Sequence, residues 1–357
     1  MLRTLCIVVT CVFLLSCGKS IIGGDFDQSP EHNFEILWQE FNDFYALFEV
    51  KNVDWGALYN AYRPLVTDHS TQEELFAICV LMLEHLYDRH VRLVTPFARF
   101  TSGHSGEPVT FDPRTAGRDT TFTITLGNRD RDESFDLGSV RNYVGNIRSQ
   151  GSILYGIIQE HIGYILIPDF SDESIKNWER DIDAALEQLH TTSGVIIDLR
   201  LNGGGFGHIS RATMARFIDS PHIYGYAQFR NRPRGSDFTP LFELQIEPAG
   251  VRQYTRPIAL LVGKNTASAA EHFVLALREL PHVTVVGSST AGALGSTKQG
   301  QLPNRWTYQL TISKVVSVDM ISYEGTGIPP DIVVGSSGSP DAGDLVLEKG
   351  IEVLVGK

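Results

Sequence analysis

Gly194-Val195-Ile196-Ile197-Asp198-Leu199 runs directly into Arg200-Leu201-Asn202-Gly203-Gly204-Gly205, and the two halves of that stretch obey different rules. A short, nearly unbroken apolar run predicts a strand covered on both faces, because a strand with one wet face alternates. Three glycines then form a turn whose backbone can take positive φ and approach a ligand closely. A helix over 207–218 is expected next, so its amino end, with unpaired N–H groups and a favourable dipole for negative charge, lies at the turn. A phosphate loop, an oxyanion hole and a plain tight turn all fit this pattern. The Lys-Ser/Thr of a P-loop is absent, and Gly203, Gly205 and His208 do not meet the G-x-G-x-x-G spacing.

The same unit recurs downstream. PIALLV at 257–262 reads as a second buried strand, followed by Gly263-Lys264-Asn265-Thr266-Ala267-Ser268-Ala269-Ala270-Glu271 and a helix over 267–279. Ser268 would present its hydroxyl at the carboxyl edge of the strand, where the helix field favours an oxyanion. A serine is also a common helix-start residue with no chemistry attached. Upstream, 152–158 and 162–167 (IGYILI) read as a strand pair and 172–190 as a helix begun by Ser171 and Asp172. Strand 283–286, a hairpin over 300–318 and a closing helix over 342–355 complete an α/β layer pattern.

Before this core the pattern is helical. Phe34, Leu37, Trp38, Phe41, Phe44, Tyr45 and Phe48 keep i, i+3, i+4, i+7 spacing, Asp54 opens a second helix stopping near Pro64, and Ser70-Thr71-Gln72-Glu73 caps a third running to about Tyr87. His90 follows it. Residues 97–150 are polar and glycine-punctuated, with β-like runs at 120–126 and 140–147. Residues 1–17 (MLRTLCIVVTCVFLLSC) have a single Arg, an apolar run too short to span a bilayer, and Ser16-Cys17, the layout of a signal peptide. The ending Leu14-Leu15-Ser16-Cys17 resembles a bacterial lipobox, with Cys17 as the lipidated residue, and 17–31 as a tether.

The 357 residues are 42% hydrophobic and 20% charged, a globular composition long enough for about two domains. With 30 Lys and Arg against 42 Asp and Glu, the net charge of −12 argues against nucleic acid as a partner. Four cysteines give no disulfide framework, and Cys79 lies in an apolar stretch suited to a small core residue. No H-E-x-x-H occurs, His85 and His90 are five apart and off one helical face, and flavin and nicotinamide signatures are missing, so neither metal nor cofactor is expected.

Four segments carry a resemblance: DLRLNGGG at 198–205, TASAAE at 266–271, VVGSSTAG at 285–292 and YEGTGIPPDIVV at 323–334. In order and spacing they resemble serine peptidases of family S41, the tail-specific (C-terminal processing) proteases and the tricorn core protease. FEILWQEFNDFYALF through LEHLYDRHVRL resembles the amino-terminal domain of lipoprotein members from Bacteroidetes-like bacteria. The resemblance implies a crotonase/ClpP-like α/β core preceded by a small helical domain. It divides the chain into signal peptide 1–16, tether 17–31, helical domain 32–96, linker or subdomain 97–150 and catalytic domain 151–357. It implies a serine endopeptidase with Ser268 as nucleophile, and an oxyanion hole from Ala269 N–H with Gly204 or Gly205. Its substrate would be a peptide or protein, and its place the extracytoplasmic face of the cell envelope, on a lipid anchor.

The general base departs from the tail-specific pattern. Their Lys, about 25 residues after the serine, would fall at Ala293. Tricorn-like members use a His from the amino-terminal domain and a Glu near the PD motif, which match His90 and Glu324; the Ser before that His is Arg89 here. Lys298 is the competing base, five residues past the expected place. A His base predicts an acid limb between about pH 6 and 7.5. The interval 97–150 is too short for a complete PDZ domain, so capture by such a domain is not expected. A silent peptide-binding lipoprotein of the same fold, or an esterase or lipid-binding relative, is the alternative function.

Overall fold

The computed structural model describes residues 27–103, 137–159, 161–171, 174–230, 238–335 and 343–356. The signal sequence, Cys17, most of the tether and the β-like run at 120–126 lie outside these residues. The elements in chain order begin with helices α1 (Pro30–Phe44), α2 (Trp55–Tyr62) and α3 (Gln72–Glu84) and strands β1 (Arg92–Val94) and β2 (Arg99–Thr101). Then come α4 (Leu137–Val140), β3 (Gly145–Gln150), β4 (Ile153–Ile158), β5 (Ile162–Leu166), α5 (Ile175–Leu189), β6 (Gly194–Asp198) and α6 (Gly207–Met214). The remainder is β7 (His222–Phe229), β8 (Phe242–Ile246), β9 (Ile258–Val262), α7 (Ala269–Leu277), β10 (Val283–Gly287), β11 (Thr297–Gln301), β12 (Thr307–Thr311), β13 (Ser313–Val316), β14 (Ile332–Val333) and α8 (Leu345–Val355). Among the described residues no helix is long and apolar enough to cross a membrane.

A seven-stranded sheet in the order β14-β10-β9-β6-β5-β4-β3 forms the centre, parallel from β14 to β5 and antiparallel through β4 and β3. Every residue of β5, β6 and β9 is buried. Alternate side chains explain why. Val195, Ile197, Ile258 and Leu260 face a core shared with α5, α6 and α7, whereas Ile196, Ala259 and Leu261 face α8 through Val346, Leu347 and Leu354. A sheet covered on both faces needs apolar residues at every position, which is the unbroken run seen at 194–199 and 257–262.

The amino-terminal unit is not self-contained. Phe34, Leu37, Phe41, Leu75 and Phe76 share a core with Leu302, Trp306, Tyr308 and Leu310 from near the far end of the chain. Strand β1 pairs antiparallel with both β2 and β12, in the sheet β11-β12-β1-β2. The hairpin expected over 300–318 is therefore β11 with β12, over 297–311. After Ile312 the chain enters another sheet, where β13 pairs with β7 and β7 with β8. Strands β7 and β8 have mixed, half-exposed patterns that periodicity does not single out.

Other expected boundaries shift for local reasons. Helix α1 stops at Phe44 because Tyr45 is extended and Ala46 N–H is drawn to Thr311 O at 2.8 Å, so Phe48 lies beyond it. The capping box of α3 is Thr71 with Glu74, one residue later than Ser70 with Glu73, and the helix ends at Glu84. Residues 140–147 hold the end of α4 and the start of β3, and α5 begins at Ile175 rather than 172.

Candidate active site

The carboxyl ends of β6 and β9 are adjacent, and both strands lead into loops that meet there, the crevice where open parallel sheets bind ligands. Each loop is fixed by buried polar groups. Arg200 has no exposed side-chain surface. It grips Asp198, with Nη2–Oδ2 at 2.6 Å, and Asp344, with Nη1–Oδ1 at 2.7 Å, while Tyr164 donates to Asp198 at 2.9 Å. This joins the glycine turn to the N-cap of α8, since Asp344 Oδ1 also accepts from Leu347 N–H. Asn202 is wholly buried. Its Nδ2 donates to Ile167 O, its Oδ1 accepts Gly204 N–H at 2.9 Å, and its carbonyl accepts Ala267 N–H at 3.0 Å. The turn is thereby laid against the serine loop.

Ser268 sits at the head of α7 with φ +57°. That angle is uncommon for a residue with a side chain and costs on the order of 1–3 kcal/mol, so it persists only where surroundings enforce it. The enforcing group is Glu271, which is fully buried. It accepts from Ser268 N–H at 3.1 Å, Thr290 Oγ1 at 2.6 Å, Gly292 N–H at 2.7 Å and Ala293 N–H at 2.8 Å. Burial raises the Glu271 carboxyl pKa, and these hydrogen bonds oppose the rise. Glu271 escaped the sequence reading, although its place three residues after Ser268 is a capping-box spacing.

Gly204 has φ +97°, and a Cβ there would stand 2.7 Å from both Ser268 Cβ and Ala267 O; only glycine allows this approach. The two candidate donors of the turn differ. Gly204 N–H is committed to Asn202, whereas Gly205 and Ala269 N–H groups donate to no acceptor among the described residues.

His90 arrives from the amino-terminal unit. It is 8% exposed, its N–H donates to Asp88 Oδ1 at 2.8 Å, and its carbonyl accepts from Gln309 Nε2 at 2.9 Å. Its neighbour Arg89 reaches into the serine loop, donating to Lys264 O at 2.8 Å. Burial lowers the His90 pKa, with Arg92 and His272 adding to the fall and Asp88 opposing it. His272 lies one turn after Ser268 and its ring contacts Leu294 O through Nε2 at 3.0 Å. Its own pKa is likewise lowered by burial.

Glu324 is 6% exposed, and its Oε1 accepts Gly295 N–H at 2.5 Å. Burial, then the charges of Asp88 and Glu271, hold its pKa well above the usual carboxylate range, against the pull of Gly295 N–H and Lys51. Ser268, Glu271, the 290–295 loop and Glu324 thus form one run of hydrogen-bonded groups, and His90, Asp88 and Thr311 form a second. Lys298 is not part of it. Its Nζ pairs with Glu40 on α1 at 2.5 Å and lies 3.6 Å from the Phe44 ring centroid. His85 contacts Tyr62 OH at 3.0 Å through Nε2. Cys79 is a buried free thiol. Among the described residues no His, Cys, Asp and Glu side chains gather as a metal site.

An open groove of about 590 Å³ borders the serine loop, lined by Tyr87, Arg89, Lys264, Thr290, Gly292 and Pro329 among others.

Residues 161–334 match the model of peptidase family S41, and residues 26–84 match the tricorn protease C1 domain. The carboxy-terminal processing protease CtpA of Bacillus subtilis (strain 168) is 29% identical over 172 residues, 48% of this chain and 34% of that protein. The carboxy-terminal-processing protease of Bartonella bacilliformis is 24% identical over 60% of this chain and 47% of its own length. The chain spans about a third to a half of the length of the curated relatives it matches. A crystal structure of a candidate peptidase from Parabacteroides merdae ATCC 43184 superposes with a TM-score of 0.76 and 28% identity, covering 92% of this chain and 98% of that one. The tricorn protease shares the fold at a TM-score of 0.56 and 16% identity, over 92% of this chain and 36% of that one. Its α/β core, its helical amino-terminal unit and these matches in both parts support an S41 family peptidase.

Proposed function

We propose that the chain is a serine endopeptidase that hydrolyses peptide bonds through an acyl-enzyme on Ser268, with His90 as general base and Glu324 assisting. The observation that carries this reading is Ser268 held at φ +57° at a helix amino end, beside the uncommitted N–H groups of Gly205 and Ala269. Ser268 Oγ attacks the carbonyl carbon and its proton passes to His90. The oxyanion of the tetrahedral intermediate accepts from Gly205 and Ala269 N–H; Gly204 contributes by its lack of a side chain. His90 then protonates the leaving amine, and water repeats the cycle to free the acid. The family matches support a peptide or protein substrate.

A fluorophosphonate probe should label Ser268 alone, and Ser268→Ala should lose the label and about three or more orders of magnitude in kcat, with the remaining hydrolysis due to the oxyanion donors. The melting temperature should barely move, since one partly exposed hydroxyl contributes about 1 kcal/mol or less. A wild-type chain that takes no label would leave the peptide-binding reading in its place.

The signal-like amino end supports attachment to the cell envelope through a lipid on Cys17. Cys17→Ser should abolish incorporation of labelled palmitate, and unchanged incorporation would remove the anchor from this reading.

A further inference from the structure

Among the described residues, the buried polar atoms without a well-formed hydrogen bond include Tyr45 OH, His90 Nδ1 and Glu324 Oε2. They come from three separate parts of the chain, the end of α1, the turn before β1 and the loop before β14. One residue acts electrostatically on all three, Asp88. Asp88 is 2% exposed and bound from several sides. Its Oδ1 accepts His90 N–H at 2.8 Å, its Oδ2 accepts Thr311 Oγ1 at 2.7 Å, and its own N–H donates to Ser102 Oγ at 3.3 Å.

We infer that Asp88, rather than Glu324, is the anion that orients His90 and balances the positive charge His90 takes on when it accepts the serine proton. The inference rests on the proposed role of His90 and goes beyond it by reassigning the counter-charge. Two buried carboxyl groups whose charges act on each other cannot both ionise cheaply, and the one with more hydrogen bonds to its charged form keeps the charge. Asp88 accepts two such bonds, and Glu324 accepts one, with its second oxygen unpartnered. Glu324 also faces the buried Glu271, and its cationic neighbour, Lys51, already donates to Tyr87 O at 3.0 Å. Glu324 is therefore the carboxyl pushed toward its protonated form. The groups acting on the His90 ring are Asp88 and Arg92 on its own segment and His272 on α7, so Asp88 is the favourable charge among them. Asp88 is a positioning residue, since it acts through His90 and does not touch substrate.

The test follows the His90 ring by proton–nitrogen NMR in the full chain carrying Ser268→Ala, the signal being assigned by its loss in His90→Gln. Asp88→Asn should lower the His90 pKa by about one unit or more, and Glu324→Gln should shift it by less than about 0.3. A larger fall in Glu324→Gln than in Asp88→Asn overturns the assignment. If Asp88→Asn does not fold, Glu324→Gln decides alone: an unmoved His90 pKa supports Asp88, and a fall of about a unit refutes it. The titration needs no turnover, so it stands whatever the labelling of Ser268 shows.

Discussion

His90→Ala should reduce kcat by about three to six orders of magnitude with Ser268 still in place, whereas Lys298→Ala should change it less than about fivefold. The contrast follows from where each side chain is spent. His90 is buried with a ring nitrogen unpartnered and its neighbour Arg89 reaches the serine loop, while Lys298 is tied to Glu40 and Phe44 on α1. KM should change little in His90→Ala, because the base acts on the chemical step. The acid limb carries a second signature. The base must be neutral to accept a proton, and burial lowers the His90 pKa, so activity should extend below the free imidazole value of about 6.5. This places the limb toward or beyond the acid end of the interval expected for an unperturbed histidine. Peptide turnover measured from pH 4.5 to 8 would check both points, and a dead Lys298→Ala beside an active His90→Ala would reverse the assignment.

Arg200→Met should be the most damaging substitution for stability. It leaves Asp198 and Asp344 buried with their shared cation gone, and removal of one member of a buried ionic cluster costs roughly 3–5 kcal/mol. Thermal unfolding should fall by several degrees or more. Activity should fall with it, because the same network fixes the glycine turn. The triple change Asp198→Asn, Arg200→Met, Asp344→Asn should recover part of the lost stability, since no stranded charge remains. An Arg200→Met chain that melts like the parent would show that the cluster contributes nothing net.

The strands that position the site were legible because they are covered on both sides, which writes unbroken apolar runs into 194–199 and 257–262. The helices of the amino-terminal unit were legible from the 3.6-residue stripe at Phe34, Leu37 and Phe41. Strands β7 and β8 were not, since β7 mixes buried and half-buried positions between β13 and β8, and β8 is mostly exposed at the sheet edge, which blurs any period. Ser268 and Gly204 stood in recognisable segments. Asp88 and Tyr45 could not be found from spacing, because what matters is their meeting with Glu324, more than two hundred residues away. The choice between Gly204 and Gly205 as donors was equally out of reach, since it depends on where one Asn202 oxygen points.

The core shared between the first helices and β12 also governs timing. During synthesis His90 is made 219 residues before Gln309, the residue that holds its carbonyl, and β1 has no β12 to pair with until then. At ribosomal rates that interval is roughly 10–40 s. Through all of it His90 sits on a half-built unit, and for most of it the serine loop is absent as well. On the proposed mechanism, hydrolytic competence would thus wait for the finished polypeptide: in a chain stopping before residue 307, β1 lacks β12 and His90 lacks Gln309.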